Sequence, residues 1–209
     1  MSKPPKVCCA KRSTPIRNIS KPQCAACGRW KADAPVSVIS TIAPTLQLPQ
    51  SVALWLFVVS LPACLWSAWS DLRIMKIPNK AVMLLTIAFV VAAPFLMSLQ
   101  QVGWQLLQLV ILLLIGMVMN GAGLIGAGDA KFTAAAAPYI MLGDWKLVVM
   151  LFATVTLASV ATHRLAGLTP LRNLAPDWES WTRKGDFPMG LPLGFTLSLY
   201  LLIGAVYGG

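Results

Sequence analysis

Two carboxylates stand where apolar sequence should tolerate neither. Asp71 closes the first long apolar stretch, and Asp129 ends the run Gly121-Ala122-Gly123-Leu124-Ile125-Gly126-Ala127-Gly128, with Lys131 two residues further on. An ionisable group at membrane depth is costly unless it is paired or used. Two carboxyl groups that approach closely do not both ionise readily, so one acts as a base while the other keeps its proton. Such a pair has the chemistry to activate water for attack on a peptide carbonyl and to protonate the leaving nitrogen.

Each of these residues also has a plainer reading. The glycines permit positive φ and close approach of another chain, which would leave room for an extended peptide beside Asp129. They serve equally well to pack helices closely in a membrane. Asp71 alone, two residues before Arg73, reads as a solvated loop acid. Taken together, the two aspartates also suit a small transporter subunit that relays protons or cations. Lys131 lies about half a helical turn from Asp129, where it is placed to favour the ionised carboxylate, to attract an acidic group, or simply to snorkel at an interface.

The remaining reactive side chains say less. His163 is the only histidine and falls at the end of an apolar span. Gly190 and Gly194 form a small-xxx-small pair and read as helix packing. Cys24-Ala25-Ala26-Cys27 has the spacing of half a zinc site, but Cys8-Cys9 is not its usual complement, so free thiols and a zinc knuckle both stand. Cys64 lies inside an apolar span. No metal and no cofactor are expected from these patterns.

The elements that must position the acids follow from composition. Of 209 residues, 57% are hydrophobic and 11% charged, outside the range of an ordinary soluble domain. Continuous apolar runs near the roughly 20 residues needed to cross a bilayer argue for an all-α polytopic membrane protein of about six transmembrane helices, not a β-barrel. The expected spans are 51–70, 80–99, 102–120, 129–142, 145–162 and 188–207. Pro62 should bend the first. The fourth has 14 residues, covering only about 21 Å. Either its helix begins near Leu124, or Asp129 lies inside the bilayer at the end of a short helix.

The formal charge of +10 divides unevenly: residues 1–50 carry +7 and the rest +3. The cations of the membrane part sit in loops, which argues orientation and not nucleic-acid binding. Residues 1–50 read as a basic, disordered extension without a signal-peptide pattern, and 51–209 as the membrane-embedded domain. Alternation puts the loops at 71–80, 120–131 and 163–187 on one side. They hold Arg73, Lys76, Lys80, Lys131 and four further cations, so that side is cytoplasmic. Asp71 and Asp129 then share one face, whereas the basic extension falls on the other, against the same rule.

Asp71 followed by Ile77-Pro78-Asn79, then Gly126-Ala127-Gly128-Asp129-Ala130-Lys131, resembles the signature pair of the type IV prepilin peptidases. These are aspartic endopeptidases of the bacterial inner membrane, similar in motif to presenilin-like and preflagellin proteases. Pro188-Met189-Gly190-Leu191-Pro192 is similar to the family's proline-glycine element. The resemblance implies a six-helix membrane peptidase that removes the short basic leader of prepilins or pseudopilins at the cytoplasmic face. It implies Asp71 and Asp129 as the catalytic pair, with Gly126, Gly128 and Lys131 as candidate substrate-binding residues. The chain lacks the inserted paired-cysteine region of the longer, methylating members and resembles the compact peptidases that serve Flp/Tad pili.

Overall fold

A computed structural model describes residues 46–169, 178, 180 and 187–208. The cysteine-bearing extension, up to residue 45, and most of the loop before the last helix lie outside the described residues. The disorder and zinc readings of that extension therefore fall outside them as well.

Six helices, and no strand, occur among the described residues: α1 Gln50–Ile74, α2 Asn79–Leu96, α3 Leu99–Gly121, α4 Ala127–Ala136, α5 Trp145–Leu168 and α6 Gly190–Tyr207. Two single 3-10 turns, Ala137–Tyr139 and Leu142–Asp144, join α4 to α5. All but α4 are long and apolar enough to cross a membrane. At ten residues, α4 is about 15 Å long and does not span. Its helix starts after Gly126 and not near Leu124, which leaves a short helix with Asp129 in its first turn.

Local sequence accounts for the boundaries. α1 runs past Ser70 to Ile74 because nothing in Asp71-Leu72-Arg73-Ile74 breaks it, so Asp71 belongs to a helix rather than to the expected loop. Met75 then takes a left-handed conformation (φ 52°), its N–H bonded to the Asp71 carbonyl at 2.9 Å, and Pro78 prevents resumption until α2. Ser98 and Gln101 form a reciprocal capping box at the start of α3.

α1 and α6 form the central antiparallel pair. Small residues let them approach: a Cβ at Gly194 would meet the Cys64 carbonyl oxygen at 3.1 Å, and one at Gly204 would meet Ala53 Cβ at 3.0 Å. α2 packs on α1, α3 on α4 and α5 on α6, while α4 is wedged between α2, α3 and α6. Its course is pinned by the buried hydroxyl of Tyr139, which donates to the Leu85 carbonyl in α2 at 2.8 Å, and by the edge-to-face contact of that ring with Phe89. Large apolar side chains such as Phe95, Val118 and Leu157 point outward, as a bilayer-facing surface requires.

A third acid is buried at the opposite end from Asp71. Asp144, 3% exposed, accepts from the Tyr200 hydroxyl at 2.8 Å and from the Gln47 N–H at 3.1 Å. Tyr200 in turn accepts from the Met141 N–H at 3.3 Å. Gly143-Asp144 reads in sequence as an ordinary turn. In the fold it ties the segment before α1, the α4–α5 junction and α6 together.

Candidate active site

Asp71 sits in the last turn of α1 and is 5% exposed, so it is not a solvated partner of Arg73, whose side chain is exposed. Its Oδ2 accepts the Gly190 N–H at 2.6 Å, and the Leu191 N–H is also directed at this carboxylate. These are the first two amides of α6, and the third residue is Pro192, which has none to satisfy. A carboxylate from α1 thus caps the positive end of α6, where backbone donors and helix dipole both favour negative charge. A Cβ at Gly190 would stand 3.0 Å from both Cβ and Oδ2 of Asp71, so this approach depends on glycine.

Asp129 occupies the third position of α4 and is half-buried. Burial raises its pKa from the ordinary carboxyl value, because desolvation disfavours the charged form. Its side chain folds back over the helix start: a Cβ at Gly126 would come within 2.8 Å of Asp129 Oδ2. Gly128 makes a different approach, with Ile77 Cβ 3.3 Å from where its own Cβ would be. Gly116 of α3 lies against Ala130, 3.0 Å from Cβ to Cβ position. The motif glycines therefore have separate tasks. Gly126 gives the carboxylate space, whereas Gly128 and Gly116 fix α4 against the α1–α2 turn and α3.

These contacts bring the end of α1, the start of α4 and the start of α6 together. Asp71 and Asp129 interact electrostatically across that junction. Lys131, exposed, reaches Asn79 Oδ1 of the Pro78-Asn79 turn at 3.4 Å; no ion pair with Asp129 occurs among the described residues. His163 lies near the end of α5, edge-on to Phe187 with ring centroids 5.8 Å apart. No cluster of three His, Cys, Asp or Glu side chains able to hold a metal occurs among the described residues.

From Asp129 a cavity of about 570 Å³ runs along the length of α4. Gly126, Thr133 and Ala136 form its floor, Leu112 of α3 one wall, and Val149, Phe152, Leu193 and Thr196 of α5 and α6 the other, with Tyr200 at the deep end. Sequence reasoning singled out the two acids that this junction brings together but missed Gly190 as a donor to Asp71, and it missed the groove. Pro188-Met189-Gly190-Leu191-Pro192 was the available signal for the first. The second depends on how four helices diverge, which leaves no local trace.

The model of the type IV leader peptidase family matches residues 55–163, a stretch that includes both aspartates and ends before α6. No curated protein and no solved structure matches this chain.

Proposed function

The chain belongs to the type IV leader peptidase family, and from that premise we propose that it is an aspartic endopeptidase that removes the basic leader of Flp-type prepilins or pseudopilins at the cytoplasmic face of the bacterial inner membrane. Membership makes it a membrane-embedded peptidase; the substrate type and the two-aspartate mechanism are the proposed parts. What supports them is the packing of the start of α4, through Gly128 on Ile77, against the turn that follows Asp71, which brings both aspartates to one end of the bundle and within electrostatic range.

The pair divides the labour. One carboxylate serves as the base that takes a proton from water while the other keeps its proton and passes it to the departing amine. The Gly190 N–H holds Asp71 in place for this, and Asp129 sits half-buried at the mouth of an apolar cavity. Gly126 gives the Asp129 carboxylate room to meet an extended substrate backbone, Gly128 holds α4 against the α1–α2 turn, and Lys131 reaches Asn79 beside them. A relay across the membrane would draw on Asp144 at the other end, but that carboxylate is held by Tyr200 and Gln47.

Co-expression with a prepilin-type precursor, scored by leader removal on a gel, tests this reading. Wild type should process the precursor. An aspartate requirement for ion flux without any leader cleavage would favour the transporter instead.

A further inference from the structure

A hydroxyl buried one helical turn from Asp71 is left without a hydrogen bond. Ser67 lies on the same face of α1 as Asp71 and is 0% exposed. Its Oγ finds no partner among the described residues. A hydroxyl inside a helix commonly bonds back to a carbonyl of the preceding turn. Ser60 of α1 does so at 3.2 Å, and Thr196 and Ser198 of α6 do so at 2.7 and 2.9 Å. Ser67 is bracketed by two tight approaches of α1 to α6, Cys64 against Gly194 and Asp71 against Gly190. Alanine there would fill the same space without a buried, unpaired polar atom, which is costly.

Two polar side chains on that face of α1 stand within a turn of Ser67. Cys64 is a weak acceptor and already pairs with Ser198. Asp71 is a strong one: ionised, a carboxylate offers about four lone-pair sites, and the Gly190 and Leu191 amides take only part of them. We propose that Ser67 is a positioning residue for Asp71, its hydroxyl donating to the carboxylate when that group is charged and holding the edge that α6 leaves free. The Cβ atoms of residues four apart on a helix are about 6 Å apart, a gap that a hydroxyl and a carboxyl together close to hydrogen-bond length. The Asp71 Cα–Cβ bond is tilted toward the turn that carries Ser67, and rotation about the Ser67 Cα–Cβ bond completes the contact. Hydrogen bonds to an ionised acceptor are about twice as strong as neutral ones, so the contact forms with the charged carboxylate. The inference rests on the two-aspartate reading and deepens it: a carboxyl that cycles between charged and neutral keeps one orientation through both.

Two measurements on the full-length protein in lipid vesicles test it. Ser67→Ala should lower kcat for leader release at least about tenfold with KM unchanged, because it disturbs the reacting group and not substrate binding. Its unfolding midpoint should be no lower than that of wild type, since the change deletes an unpaired hydroxyl. Ser60→Ala, on the same face of α1 but bonded to its own backbone, should leave kcat as it is. In infrared difference spectra between high and low pH, the Asp71 carboxylate band is identified by its loss in Asp71→Asn. That band should shift in Ser67→Ala and stay in place in Ser60→Ala. Wild-type kcat or an unmoved band in Ser67→Ala, an equal loss from Ser60→Ala, or a loss matched by a lowered midpoint would overturn the inference. Leader release with an unmoved band overturns the Ser67 contact but leaves the peptidase reading in place. A shifted band in a protein that releases no leader overturns the peptidase reading but leaves the contact.

Discussion

The backbone N–H of Gly190 donates to Oδ2 of Asp71 at 2.6 Å, joining residues 119 positions apart in sequence. Through this bond the last turn of α1 caps the first turn of α6, and the carboxylate gains a fixed orientation that its own helix does not provide. Glycine at residue 190 keeps the contact in this geometry, because a Cβ there would sit 3.0 Å from the carboxylate it serves.

Gly190→Ala should therefore displace Asp71 by a few tenths of an ångström, and Gly190→Val by more. Misplacement on that scale at a reacting group lowers kcat by about 10- to 100-fold. Leader-release rates at matched protein levels, with thermal unfolding as the control for folding, check the ordering wild type, alanine, valine.

The glycines before Asp129 should separate by task. Gly126→Ala places a methyl group within 2.8 Å of Asp129 Oδ2 and should lower turnover with little effect on stability. Gly123 has φ +73°, so Gly123→Ala should cost about 1 kcal/mol of stability through backbone strain. Gly121→Ala meets nothing within 4 Å and should alter neither. Equal effects at all three positions would contradict this division.

Tyr200→Phe leaves the buried Asp144 carboxylate and the Met141 N–H each short of a partner. The expected loss is about 1–3 kcal/mol of stability, read as a lowered unfolding midpoint in detergent.

Activity against pH should be bell-shaped. It falls in acid as the base becomes protonated and in alkali as the general acid loses its proton. Burial raises the Asp129 pKa, so the pair keeps its one proton to higher pH than an ordinary carboxyl would. A profile with a single limb would contradict a pair that works with one proton between two carboxylates.

Much of this was legible in the sequence because charge in apolar surroundings is conspicuous. Asp71 and Asp129 stand out for that reason, and the 14 residues from Asp129 to Leu142 are too few to span. Other features are set by partners distant in the chain. Asp144 looks like a turn residue until Tyr200 and Gln47 close over it, the latter 97 positions away. Gly190 and Gly194 have the same small-residue spacing, yet Gly194 only packs against Cys64 while Gly190 also binds Asp71. The left-handed end of α1 falls on Met75, where a glycine would have marked it.

The most direct test of the two-aspartate account is the rate of leader release by wild type, Asp71→Asn and Asp129→Asn, with each variant shown to be folded and membrane-inserted. Loss of either carboxylate should slow release by at least about 100-fold, the usual contribution of a general acid or base. Release at the wild-type rate by either asparagine variant would contradict the account.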